Sequence, residues 1–96
     1  MTKLLKLTDG EIKERLETLP GWQVRNDKLH RELKFVDFSE AFGFMATMAT
    51  VSEAKDHHPE WFNVYSRVVI DLSTHDLDGI SDKDFAWAAE VNRRLS

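Results

Sequence analysis

Trp61-Phe62-Asn63-Val64-Tyr65-Ser66-Arg67-Val68-Val69-Ile70-Asp71-Leu72 holds two runs rich in aromatic and β-branched residues, Trp61 to Tyr65 and Arg67 to Leu72. In the second run Val68, Ile70 and Leu72 alternate with Val69 and Asp71, the period of a strand. A second such pair lies upstream. Trp22-Gln23-Val24 alternates apolar and polar residues, Asn26-Asp27 gives a turn, and Leu29 to Phe35 follows, so two more strands read as a hairpin. In that last run Leu29, Leu33 and Phe35 share one face and His30, Glu32 and Lys34 the other, which predicts one packed side and one side facing water, with Arg31 the exception on the packed side.

Helices separate and flank these pairs. Thr8-Asp9-Gly10-Glu11 has capping-box spacing, with Ile12, Leu16 and Leu19 behind it and Pro20-Gly21 as a stop. Asp37, with Glu40 three residues on, opens a second helix carrying Phe38, Ala41, Phe42, Phe44, Met45, Met48, Ala49 and Val51. These residues cover more than one stripe, so this helix needs burial on more than one side, which a subunit interface could supply. Gly43 inside it could mark close backbone approach. Pro59 ends the helix by about His57. Ser73 to Gly79 reads as a polar loop, and Ser81 with Asp84 forms a second capping box before Trp87, Val91 and Leu95. The order α-β-β-α-β-β-α, with strands in short adjacent pairs, predicts an α+β fold: a four-stranded antiparallel sheet with helices packed on one face.

Composition narrows the function. The chain has 96 residues, 42% hydrophobic and 31% charged, which suits a single domain spanning 1–96. Its small size makes subunit association a plausible source of stability. There is no cysteine, which removes disulfides, thiolate nucleophiles and cysteine-based metal sites. The net charge of −4 argues against nucleic acid as a direct partner. The start, Met1-Thr2-Lys3-Leu4-Leu5-Lys6-Leu7, lacks a signal-peptide core, and no run is long enough to span a membrane, so a cytoplasmic location is expected.

Of four histidines, His57 and His58 fall between a helix end and a strand, and His75 directly follows another strand. A sheet that brought these junctions together would make one cluster, with Glu53, Asp56, Asp76 and Asp84 as nearby carboxylates. Solvated loop histidines are the plainer explanation of an adjacent pair. Metal binding is not supported by the spacing, since neighbouring histidines are not the i, i+4 pair that a helix aims at one ion, and no HExxH occurs. No serine lies in a GxSxG context. General acid–base catalysis by imidazole fits better, because histidine titrates near neutrality and has two ring nitrogens. Trp61, Phe62 and Tyr65 read as sheet and core residues rather than a stacking platform, Met45 and Met48 as core or interface filler, and Arg93-Arg94 as complements to a helix dipole.

Glu53-Ala54-Lys55-Asp56-His57-His58-Pro59-Glu60-Trp61 closely resembles the signature of the pterin-4a-carbinolamine dehydratase family, also known as the dimerisation cofactor of a homeodomain transcription factor. The likeness continues through Phe62-Asn63-Val64-Tyr65, Leu72-Ser73-Thr74-His75 and Gly79-Ile80-Ser81-Asp82-Lys83-Asp84, and extends upstream to Phe35-Val36-Asp37-Phe38 and Ala41-Phe42-Gly43-Phe44-Met45. It implies dehydration of 4a-hydroxytetrahydrobiopterin to quinonoid dihydrobiopterin without metal or cofactor, in a homodimer or homotetramer of α+β subunits. The resemblance makes His57, His58 and His75 the catalytic residues, and Asp56-His57-His58 and Ser73-Thr74-His75-Asp76 the pterin-contacting segments. Asp76 departs from the pattern, standing where a glutamate is common. Glu53, Pro59, Trp61 and Asp84 become supporting residues. Recycling of pterin for an aromatic amino acid hydroxylase is the usual expectation for such an enzyme, and a non-catalytic dimerisation or regulatory partner is the alternative.

Overall fold

The computed structural model describes residues 3–96, so Met1 and Thr2 of the basic start lie outside the described residues. The chain runs α1 (Asp9–Leu16), β1 (Gln23–Arg25), β2 (Lys28–Lys34), α2 (Phe38–Lys55), β3 (Glu60–Val64), β4 (Arg67–Leu72) and α3 (Asp82–Leu95), with a 3-10 turn at His75–Leu77. The expected element order holds. All pairings are antiparallel and the strands lie side by side as β1-β2-β4-β3.

Local chemistry explains most boundaries. Thr8 and Glu11 exchange side-chain and backbone bonds in a complete capping box, Asp37 caps α2 through the Glu40 amide, and Ser81 and Asp84 complete a second box at α3. Asn26 and Asp27 both adopt positive φ, 54° and 61°, which is what a two-residue hairpin turn needs. Tyr65, at φ 49°, turns the chain out of β3, and the Asn63 side-chain amide donates to the carbonyls of Tyr65 and Arg67 to hold that turn.

Register sorts the two faces. Leu29, Leu33, Val68, Ile70 and Leu72 point to the helix side, where they join Ile12 of α1, Met48 of α2 and Trp87, Ala88 and Val91 of α3 in one core. Burial of this apolar surface, at about 25 cal/mol per Å², is the main stabilising contribution. Arg31 also lies on this side and donates to Asn92, whose oxygen accepts from Trp22 Nε1 as well.

Several expectations are corrected. His30 belongs to the open face yet is only 4% exposed, because Nδ1 meets Asp71 Oδ1 at 2.8 Å and Nε2 meets Glu32 Oε2 at 3.3 Å, folding the ring under charged neighbours. Phe62 and Tyr65 are not core: Phe62 stands opposite Val69 on the open face and Tyr65 sits at a hairpin tip. Gly43 marks no close approach, since a Cβ there would meet nothing within 4 Å. Leu95 is 39% exposed rather than buried with Trp87 and Val91. The stretch 73–79 is more ordered than a polar loop, with Thr74 buried and bridged to Gly79.

Candidate active site

The C-terminus of α2 sets the position of His57. Asp56 leaves the helix in the left-handed conformation, φ 51° and ψ 47°, its N–H bonding the Glu53 carbonyl while the next N–H, that of His57, bonds the Ser52 carbonyl at 3.0 Å. These two bonds make a Schellman motif, with His57 as the residue that closes it. Aspartate tolerates the left-handed region better than most residues, so Asp56 has a backbone reason to be where it is.

From that anchor the His57 ring reaches across to α3. Nε2 lies 2.6 Å from Asp84 Oδ1, and Asp84 is fully buried. The other carboxylate oxygen, Oδ2, accepts from Thr74 Oγ1 at 2.8 Å and from the Ser81 N–H at 2.9 Å. The Thr74 and Ser81 hydroxyls also bond each other. A buried carboxylate is tolerable only when its oxygens are satisfied, and three donors at an N-terminal helix position do that here.

Because a carboxylate only accepts, Nε2 of His57 carries a proton in this arrangement. No buried side-chain nitrogen or oxygen lacks a partner among the described residues. Nδ1 has no hydrogen-bond partner there, so it must reach the accessible surface. The ring is therefore fixed through one nitrogen and open at the other, as an acid–base imidazole requires.

The other predicted residues are placed differently. His75 opens the 3-10 turn, exposed, directly after the Thr74 that bonds Asp84; the two histidine junctions thus meet through that carboxylate. His75 and Ser73, but not Asp56, His57 or His58, line a cleft of about 740 Å³, walled by Ile12 and Leu16 of α1, by Gly79-Ile80 and by Lys28 and Glu60, which form an ion pair at 2.5 Å. That volume falls within the range of small-molecule sites. His58 is exposed with Glu53 Oε1 3.5 Å away, a loose pairing. Asp76 is exposed and Pro59 half-buried at the entry to β3. Trp61 packs edge-on against Trp87, with ring centroids 6.0 Å apart. Among the described residues no group of three or more His, Asp or Glu side chains is arranged to hold a metal ion.

Ser81 and Ser52 were not singled out as site residues by sequence reasoning. Ser81 carried a capping signal that gave no hint of its bond to Thr74, and Ser52 carried no signal at all. The α1 wall of the cleft was equally invisible, because it depends on how α1 lies against β1 and β2.

Residues 5–94 match the family model for pterin 4 alpha carbinolamine dehydratase. The chain belongs to the pterin-4a-carbinolamine dehydratase family. Its similarity to curated members of this dehydratase family runs nearly end to end. A Solibacter usitatus protein, provisionally named a pterin-4-alpha-carbinolamine dehydratase, is 55% identical over 87 residues, 91% of this chain and 92% of that one. A Prochlorococcus marinus protein with the same provisional name is 45% identical, covering 91% of each chain. The crystal structure of a transcriptional coactivator/pterin dehydratase from Brucella melitensis superposes with a TM-score of 0.89 at 46% identity, covering 92% of this chain and 96% of that one. Among the described residues no helix is long and apolar enough to cross a membrane.

Proposed function

We propose that this protein catalyses dehydration of a 4a-hydroxytetrahydropterin, 4a-hydroxytetrahydrobiopterin in the usual pathway, to the quinonoid dihydropterin and water. The observation that carries the reading is His57 held through Nε2 by Asp84 with Nδ1 left open, beside the segment that bears His75.

The chemistry needs one proton given and one taken. The 4a carbon bears a hydroxyl and a ring nitrogen; the nitrogen lone pair forms the C=N bond as the C–O bond breaks. Protonation lets the hydroxyl leave as water rather than hydroxide, and a base then removes a proton from the cationic ring. His57, protonated at Nδ1 as well as at Nε2, gives the Nδ1 proton to the leaving hydroxyl, and His75, in the lining of the cleft, is its partner, each proton transfer contributing about 10²–10⁴-fold. His58 positions substrate or assists. Asp56 and the 73–76 segment contact the pterin, and Glu53 orients His58. No metal or organic cofactor enters this scheme. Pathway and location follow from the same reading: recycling of pterin for an aromatic amino acid hydroxylase, in the cytoplasm, by a single-domain subunit.

Association is the second element. Phe38 and Phe42 on α2 are each about half exposed and stack with centroids 5.7 Å apart, an apolar surface suited to a second copy in a homodimer or homotetramer. The same surface supports the alternative of a dimerisation or regulatory partner without catalysis.

Incubation with freshly generated carbinolamine separates the readings. Acceleration over the spontaneous reaction is expected, and loss of most of it in His57→Ala and in His75→Ala. Correctly folded protein that gives no acceleration would leave the binding role in its place.

A further inference from the structure

Asp84 is not the only grip that α3 has on the His57 segment. Three residues further along the same face of the helix, the buried Trp87 donates its indole N–H to Ser52 Oγ at 3.0 Å. Ser52 is 2% exposed, and its hydroxyl in turn donates to the Met48 carbonyl at 2.8 Å. Its own carbonyl accepts the His57 N–H. One residue of α2 therefore receives α3 through its side chain and His57 through its backbone.

The far end of the segment is held by the same indole. Trp61, the second residue of β3, meets the Trp87 ring edge-on at an interplanar angle of 70°. Trp87 thus touches the chain on both sides of Asp56-His57-His58-Pro59, at Ser52 before it and at Trp61 after it. Serine inside a helix usually loses to better helix formers, and a buried indole N–H without an acceptor is costly. Each of these two residues removes the penalty of the other.

We propose that Ser52 and Trp87 are positioning residues for His57, setting the separation between the end of α2 and α3 at which the imidazole can bond Asp84. An imidazole bonded through one nitrogen to a fixed carboxylate is sensitive to such a separation. A displacement of about 1 Å at a reacting group can cost on the order of 100-fold in rate. The kinetic part of this inference rests on the dehydratase reading; the structural part does not.

The test uses the full chain with three variants. Ser52→Ala removes the acceptor, Trp87→Phe removes the donor while keeping most of the ring, and Ser52→Thr restores a hydroxyl. The first readout is the nitrogen-correlated signal of the His57 Nε2 proton, which the buried Asp84 should protect from exchange in the unaltered protein. Both hydrogen-bond-deleting variants are expected to shift that signal and speed its exchange at least roughly tenfold, with kcat falling about 10- to 100-fold and KM changing little. Ser52→Thr is expected to restore both. Val91→Ala, a core change one turn beyond Trp87, is the comparison for simple loosening. Folded Ser52→Ala and Trp87→Phe proteins with an unaltered His57 signal would overturn the proposal, and so would an equal change in Val91→Ala. A shifted signal in a protein that never accelerates dehydration would uphold the positioning role and remove the dehydratase reading instead.

Discussion

Asp84 and His57, 27 positions apart in the chain, meet at 2.6 Å, and the same aspartate completes the capping box that starts α3. A helix-capping device is thereby joined to the histidine proposed for proton transfer. Substituting Asp84→Asn keeps the shape but replaces an obligate acceptor with a group that can also donate. The ring would no longer be held in the tautomer that leaves Nδ1 free. A fall in kcat of about 10²–10⁴-fold, with a smaller change in KM, is expected from steady-state dehydration kinetics. Unfolding measured alongside should show a loss of roughly 1 kcal/mol from the weakened cap.

How much of this was legible follows from range. The capping boxes at Thr8 and Ser81 lie within four residues of chain, so sequence reads them directly. Alternation placed Leu29, Val68, Ile70 and Leu72 on the core side for the same reason. Which histidine Asp84 would meet is a long-range fact, fixed only when α3 packs against the end of α2. His30 shows a different limit. Alternation says which face a residue takes, but its burial there depends on Asp71 one strand away and on Glu32, itself drawn in by Arg67 at 2.9 Å. Family resemblance supplied the proposed substrate, while the tautomer of His57 needed the partners of Asp84.

Gly21 carries the one positive φ among the glycines, +91°, and a Cβ there would lie 2.7 Å from Arg31 Cζ. Arg31 cannot swing away freely, because its guanidinium is bonded to Asn92, and burial pulls its pKa below the usual arginine value. Gly21→Ala should destabilise the protein by about 1–2 kcal/mol through backbone strain and this contact. Denaturant titration would show it as a lower midpoint at unchanged slope. Adding Arg31→Ala should relieve only the contact share, and full recovery in the double variant would refute the assignment of strain to φ.

Acid should weaken the fold through three surface glutamates. Hydrogen bonds from Thr8, chiefly its backbone N–H, hold the Glu11 carboxyl below the usual range; the Arg67 guanidinium and then His30 do so for Glu32, and Arg93 for Glu90. A carboxyl lowered in the folded state binds fewer protons there than in the unfolded chain. Its contribution is therefore complete above the unfolded value, about pH 4.3, and is lost as pH falls through the folded one. Glu11 and Glu32 are exposed and Glu90 is half-buried at the surface, so each effect is small and screened by salt. Thermal melts should decline as pH drops below about 5, and the combined Glu11→Gln, Glu32→Gln and Glu90→Gln variant should decline less steeply. An identical pH slope in that variant would show that other groups govern acid unfolding.

Phe38 and Phe42 test the proposed assembly. They stand one turn apart on α2, 53% and 51% exposed, and their rings stack at an interplanar angle of 13°. Stacking them on each other shields little of their outer faces, and α2 already spends Ala41, Met48 and Ser52 on the core side. Burying two half-exposed phenylalanines against a second copy removes further apolar area from water at about 25 cal/mol per Å², and a symmetric contact does so from both sides. The native protein should therefore sediment as a multiple of 11.2 kDa, with a melting temperature that rises with protein concentration. Phe42→Glu places a charge in that contact and should shift the mass to the single chain while leaving the far-UV circular dichroism unchanged. Native protein that runs as a single chain, or a Phe42→Glu variant that keeps the full oligomeric mass, would place the interface elsewhere or nowhere, and α2 would then owe its exposed phenylalanines to some other partner.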